Sequence, residues 1–379
     1  MIHNHFLRSA VGAAALFLAA SLVLSGCGAS GGTAGVPSGS AKAATATSLS
    51  EIGTMSDLEA AAKAEGALNV IALPRDWANY GAVIDAFKAK YPGITVNEQS
   101  PDVSSADEIK AATDNKGLDT APDTFDLGLA VALSSTAQFA PYKVQTWSDI
   151  PDELKDPTGL FVGDYGGYMS VGVDSSKFPV PTALADLLKP AYKGAVAING
   201  DPTQAGSAFA AVGLATLQQG GSLDDFSPGI DFFSQLNKAG NFLKVDPDSG
   251  TIASGATPVV FDWDYLNAVP AQKNPAWKVV VFPGKGYAGY YYQAINSGAP
   301  HPAAARLWQE FLYSDQAQNL WLAGGARPVR MDAMTKAGTI DSKLAAALPK
   351  APEERFVPTA DQSSKAGTLL GQKWAAAIS

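Results

Sequence analysis

The chain predicts an α/β protein of two domains, each a mixed, mostly parallel sheet flanked by helices. Three observations carry that expectation. The length, 379 residues, accommodates two domains at roughly 150 residues apiece. A strand–helix–strand pattern runs over residues 67–99, and a second such region opens near residue 194. Units of this kind put parallel strands into one sheet with helices on its faces.

The first residues belong to neither domain. Residues 1–26 carry a polar head with His3, His5 and Arg8, then an apolar stretch over 11–24. That stretch is shorter than the ~20 residues a spanning helix needs, and small residues follow it, so it reads as a secretory signal. The only cysteine, Cys27, comes immediately after it. Leu24-Ser25-Gly26-Cys27 resembles the bacterial lipobox, where a peptidase cuts before a cysteine whose sulfur has received lipid. Small side chains admit the backbone to a narrow protease groove, and the thiol is the nucleophile for the lipid. Two or more acyl chains, at ~0.8 kcal/mol per buried methylene, make a stable anchor. Residues 28–50 are almost wholly Gly, Ser, Ala and Thr. They read as a flexible tether over 27–50, with the globular part starting at about Glu51.

Composition then excludes several classes of function. The formal charge of −9 becomes −10 once Arg8 leaves with the signal, which argues against nucleic acid and against a polybasic membrane patch. Only His301 remains of three histidines, and "APHPAAA" places it in a surface loop at a helix start. A His-rich zinc centre is therefore impossible, and a Ser-His-Asp or Cys-His site would have to use that one residue. No Walker loop or GxGxxG opens a helix after a strand. Chemistry by a carboxylate pair stays open; no cofactor or metal is expected, and the chain does not read as an enzyme.

The elements follow in order. "ALNVIALP", residues 67–74, is a buried strand. In the next segment Tyr80, Val83, Ile84 and Phe87 recur at helical spacing until Pro92-Gly93. "ITVNEQ" and "TFDLGLAVA" (124–132) are strands, and "GAVAING" (194–200) opens the second region. Asp201 caps the following helix with Pro202 at its first position, and Gly220-Gly221 ends it. "IDFFSQLNKAG" is a short amphipathic helix; "TPVVFDWDYLNA", "WKVVVFP" and "GYYYQAIN" are strand-like. Two helices come after them. Ala304, Leu307, Trp308, Phe311 and Leu312 form one apolar stripe on the first, and Ser314 caps the second.

This order resembles the type II extracellular solute-binding proteins of ABC importers, in the branch for spermidine/putrescine, ferric iron, thiamine and 2-aminoethylphosphonate. The segments that carry the resemblance are "IALPRDWANYGAVIDAFKAKYPGITV", "LLKPAYKGAVAINGDP", "ATPVVFDWDYLNA" and "GAPHPAAARLWQEFLYSDQAQNLW". It implies a two-lobed, periplasmic-binding-protein-like type II fold whose lobes close on ligand about a hinge. The chain would cross at residues 168–174 and 290–296. Lobe one is then 51–170 plus 294–333, and lobe two 171–293 plus 334–379. It also implies a monomer on the extracytoplasmic face of the membrane, held by lipid on Cys27 and delivering a small solute to an ABC permease.

Strand ends and helix starts face the crevice in open parallel sheets, which picks out the ligand residues. By the resemblance, Trp77 and Tyr80 match the aromatic pair that boxes an amine, and Asp201 matches a carboxylate that pairs with ammonium. Trp263, flanked by Asp262 and Asp264, and Tyr291 at the second crossing complete the set. Asn79 and Gln204 stand where polyamine binders carry glutamates, and Tyr291 replaces an acid. Three lost acids argue against a long polyamine, since an unpaired buried charge costs several kcal/mol. A small organic amine or polyamine leads; ferric iron, thiamine and a phosphonate are the alternatives in the same fold. A carboxylate-dependent surface hydrolase and an adhesion lipoprotein are the readings outside it.

Overall fold

The computed structural model describes residues 38–379. The expected signal peptide, the lipobox and Cys27 lie outside the described residues. What it does describe of the expected tether is folded. Helices α1 (Ser38–Thr45) and α2 (Leu49–Ile52) pack against α3 (Met55–Glu65). Ala43, Ala46, Leu49 and Ile52 are buried there. A Cβ at Gly39 would stand 2.8 Å from the Ala61 Cβ, too close for a larger residue. The small side chains that read as a linker are what lets this helix approach its neighbour. The tether expected through residue 50 is corrected accordingly, and the folded part begins before Glu51.

Strand β1 (Ala67–Ile71), helix α4 (Tyr80–Lys90) and β2 (Thr95–Gln99) form the first expected unit, with β1 and β2 parallel and in register from Ala67↔Thr95. Tyr80, Val83, Ile84 and Phe87 are all buried, as their spacing required. Helix α5 (Ser105–Asp114) precedes β3 (Thr124–Gly128). The expected strand over 124–132 is shorter than its apolar run, because Gly128 opens helix α6 (Leu129–Ser134). The two-residue β4 (Phe139–Ala140) leads to β5 (Val162–Asp174), thirteen residues buried throughout.

Strand β6 (Val196–Ile198), helices α7 (Gly206–Gln218), α8 (Ser227–Lys238) and α9 (Ser249–Ser254), then β7 (Val259–Trp263), make the second region. β6 and β7 are parallel. The segment expected to continue as strand through residue 268 turns instead into α10 (Asp264–Lys273), followed by β8 (Trp277–Val280) and β9 (Lys285–Asn296). Helices α11 (Pro302–Leu312) and α12 (Asp315–Ala323) come next; Ser314 caps α12 by accepting from the Ala317 amide. The tail is ordered too, as β10 (Arg327–Pro328), α13 (Met331–Ala337), α14 (Ser342–Ala347), β11 (Glu354–Phe356) and α15 (Ala360–Ala377). α15 packs on α8, with Trp374 edge-on to Phe233 at 5.5 Å.

The sheets are mixed. The strand–helix–strand ladders are parallel, whereas β5 runs antiparallel to β9, β7 and β8. β5 pairs with β9 up to Tyr168 and with β7 from Met169, so it passes from one half of the nine-stranded sheet to the other. β9 pairs with β11 up to Tyr287 and with β5 from Ala288, upstream of the crossing expected at 290–296.

Helix α11 is buried on every side, including Arg306, Gln309 and Glu310, not along one stripe. Arg306 donates to the carbonyls of Ala46 and Pro302, which holds α1 in place. His301, expected in a surface loop, is a half-buried anchor instead: its Nδ1 lies 2.9 Å from Asp123 Oδ2. Burial works against the charge of that imidazole. The hydrogen bond and carboxylate of Asp123, with Glu65 and Asp119 beyond, nevertheless hold its pKa above the usual value.

Candidate ligand-binding site

The C-terminal ends of β1 and β2 carry unusual backbone. Ala72, Ala78, Asn79 and Ser100 all have positive φ, between 36° and 68°. Such conformations cost of order 1–3 kcal/mol each and persist only where the surroundings impose them. Three of the four lie in the loop that carries Trp77. A Cβ at Gly324 would reach to 2.7 Å from that of Asn79, so the loop closes on the end of α12 only because residue 324 is glycine.

Trp77 is half-buried, and its Nε1–H donates to the Tyr165 hydroxyl at 2.8 Å. Its ring stands edge-on to Tyr291 at 5.7 Å and to Tyr265 at 6.1 Å. Tyr165 stacks on Tyr291 at 5.8 Å, and Tyr265 stacks on Trp263 at 6.4 Å. Trp77 and Trp263, both picked out from sequence, are therefore joined through Tyr265, which packs on each. Residues from the loop after β1, from β5, from β9 and from the start of α10 thus meet in one aromatic cluster. Edge and offset contacts of this kind contribute about 0.5–1.5 kcal/mol each beyond area burial.

Carboxylates lie beneath the rings. On β3, Phe125 and Leu127 face the apolar core, so Asp126 points the other way. On β9 the same alternation sets Tyr291 and Gln293 on one face. Asp164 falls where the β5–β9 register shifts, between Gly163 and Gly166. The Gln293 Nε2 donates to Asp126 Oδ1 at 3.1 Å, to Asp164 Oδ2 at 3.0 Å and to the Tyr80 hydroxyl at 3.1 Å. Tyr80 donates to Asp164 at 3.1 Å and Tyr165 to Asp126 at 3.4 Å. Burial raises both acids, Asp126 to about 7 and Asp164 well above the usual carboxylate range, the charge of Asp126 adding to the latter. A third acid, Glu108 of α5, is wholly buried and accepts the Asp126 amide at 2.9 Å. Burial and the charge of Asp126 push it up as well.

The second region supplies two more acids, already satisfied. Asp262 accepts from Asn199 Nδ2, Ser207 Oγ and the Trp263 amide, each at 2.9 Å; burial still lifts it to about 6. Asp264 is paired with Arg327 and accepts the amides of Tyr168 and Tyr265. A side chain at Gly167 would collide with that carboxylate and with the Tyr265 ring. The Tyr291 phenol registers the whole field: burial, then the charges of Asp126, Asp262, Glu108 and Asp164, drive its pKa up. Acids of both regions contribute to that shift.

Among the residues picked out from sequence, Trp77, Tyr80, Trp263 and Tyr291 lie in this cluster and Asp262 borders it. Asp264 is engaged by Arg327. Asn79 sits at the N-cap of α4 and donates to the Leu320 carbonyl. Asp201 and Gln204 are exposed. Asp201 does not cap α7, whose N-cap is Ala205; it closes a turn onto Thr203. Sequence reasoning missed Glu108, Asp126, Asp164, Tyr165, Tyr265 and Gln293. The available signal was an acid set within an apolar strand run, in "TFDLG" and "VGDYGG", since Asp is almost never fully buried without a reason.

The sequence pattern of the bacterial extracellular solute-binding proteins matches residues 123–351, more than half of the chain. The chain belongs to that family. As a solute-binding protein it is placed outside the cytoplasm, and its family works by capture of small molecules. Solved structures agree on the type II fold. An ABC transporter substrate-binding protein from Bradyrhizobium japonicum USDA 110 superposes with a TM-score of 0.64 at 17% identity, over 83% of this chain and 100% of its own. Iron-bound HitA from Pseudomonas aeruginosa gives 0.62 at 18% identity, over 81% and 98%. The sulfate-binding protein SubI from Mycobacterium tuberculosis H37Rv gives 0.56 at 19% identity, over 81% and 98%. No curated protein matches this chain.

Proposed function

We propose that this solute-binding protein captures a small organic amine between two lobes and delivers it to an ABC permease, without turning it over. What supports the ligand class is the buried pair Asp126 and Asp164, bonded by no basic side chain and linked to the aromatic rings through the Tyr165 hydroxyl. A desolvated cation between aromatic faces gains about 2 kcal/mol or more, and acids supply its counter-charge. An anion such as a phosphonate or sulfate would meet repulsion there. The lobes are residues 38–170 with 294–333, and 171–293 with 334–379. Opening them would carry Tyr265 away from Trp77 and Tyr165 and expose the acids to solute.

One observation favours a second reading. The phenols of Tyr165, Tyr265 and Tyr291 adjoin one another, and phenolates suit ferric iron; iron-bound HitA shares the fold. Among the described residues, however, no three His, Cys, Asp or Glu side chains converge as a metal site would require.

A thermal-shift panel of small amines, polyamines, thiamine, ferric complexes, sulfate and phosphonates decides between them. A ligand at a hundredfold excess over its Kd adds ~2.7 kcal/mol, and the melting point moves by a few degrees. Trp77→Ala should abolish the shift produced by the amine. A shift from ferric complexes or anions alone would reject the amine.

We further propose that lipid on Cys27 anchors the protein at the extracytoplasmic face of the membrane, where the solute is handed over. Cys27→Ser should move the protein from the membrane fraction to the soluble one; retention in the membrane would refute the anchor.

A further inference from the structure

Asp126 and Asp164 are arranged unlike any other buried acids among the described residues. Their oxygens lie 3.1 and 3.0 Å from the same Gln293 nitrogen, so they are close neighbours with one neutral donor between them. Both are wholly buried, and no basic side chain hydrogen-bonds to either. Two buried carboxylates on one donor disfavour ionising together, which favours a proton on the pair. Glu108 adds an independent sign that a partner is missing. One of its oxygens accepts the Asp126 amide, and the other, Oε1, is buried beside it with no hydrogen-bond partner. Leaving such an atom unmade costs about as much as a hydrogen bond contributes, and native cores seldom do so without reason.

We propose that Asp126 and Asp164 form the socket for the positive end of the solute: an ammonium group takes the place that the Gln293 amide holds between them, and their shared proton leaves for solvent. This rests on the amine reading above and adds to it the residues that hold the charge and the proton exchanged for it. An ammonium has three donors in tetrahedral directions, enough to bond both carboxylates at once. Trp77 and Tyr165 stand over the socket, linked to it by the Trp77–Tyr165–Asp126 chain of hydrogen bonds. The groups facing the pair from the elements around it are Tyr80 of α4, Glu108 of α5, Tyr165 of β5, Tyr265 of α10, Tyr291 of β9 and Tyr313 after α11. All are neutral or acidic, and none supplies a positive charge.

The test is isothermal titration of the protein with butylamine, 1,4-diaminobutane and 4-aminobutyrate, against 1-butanol as the neutral control. The amine that binds wild type should weaken roughly ten- to a hundredfold with Asp126→Asn and with Asp164→Asn, since a hydrogen bond to a charged group is at stake. The binding heat in phosphate and in Tris near neutral pH should differ in the sense of proton release, and that difference should vanish in Asp126→Asn. Should one asparagine variant fail to fold, the other and the buffer dependence of wild type still decide. If an amine binds wild type and folded variants equally, or binds without releasing a proton, the socket is refuted while the amine reading stands. If no amine binds, both fall together.

Discussion

The two walls of the aromatic cluster hold buried acids with different partners. In the second region Asp262 has three donors and Asp264 an arginine with two amides. In the first, Asp164 accepts the Tyr165 amide, the Tyr80 phenol and the Gln293 amide, and Asp126 the Gln293 amide and the Tyr165 phenol, with no cation bonded to either. A carboxylate that has its donors stabilises the loop that supplies them. A buried acid pair with no cation bonded to it is held at a cost in desolvation. Burial and the number of donors do not tell these acids apart; the arginine on Asp264 and the single Gln293 nitrogen shared by Asp126 and Asp164 do.

The largest expected effect lies on the satisfied wall. Asp264→Ala would leave Arg327 with its charge mostly buried and only the Pro349 carbonyl and the Tyr168 ring for company. Breaking such a pair typically costs about 3–5 kcal/mol, which urea denaturation would measure. A loss below about 1 kcal/mol would mean that Asp264 is no better placed than the lobe-one acids, and the contrast would disappear.

A smaller effect, of opposite sense, is expected on the other wall. Asp126 has a folded pKa of about 7, above the ~3.9 of an unfolded chain. The protonated native state therefore contributes stability that is complete below pH ~4 and is lost as the pH rises through about 7. Asp126→Asn removes that dependence. Between those limits its stability should fall less steeply with pH than that of wild type, by up to ~1.4 kcal/mol per pH unit for one proton. Superimposable pH profiles would show that the pair is not protonated in the native state.

Periodicity and punctuation made most of the elements legible. The α4 stripe, the Ser314 cap and the parallel β1–β2 and β6–β7 units follow from local rules that the residues themselves obey. The failures share a cause. Residues 38–50 looked like a linker because Ala, Gly and Ser have no apolar bulk, yet small size is an asset where helices touch closely. Residues 264–268 continue an apolar run in sequence, and only the chain reversal at Trp263 makes them a helix start. At the site, Trp77 and Trp263 were visible as aromatics next to strand ends. Gln293 was not, because nothing in "YYYQAIN" says that its amide will meet acids from two other strands.

By itself the sequence determined the α/β class, the order of most strands and helices, and which aromatic residues stand next to strand ends. Hydrophobic period and turn chemistry act over a few neighbours and need no knowledge of the rest of the chain. The tertiary structure alone decided which acids share a donor and which is paired with an arginine. That depends on distances between residues as far apart in the chain as Asp126 and Gln293, and a carboxylate's charge is set by what surrounds it, not by its place in the sequence.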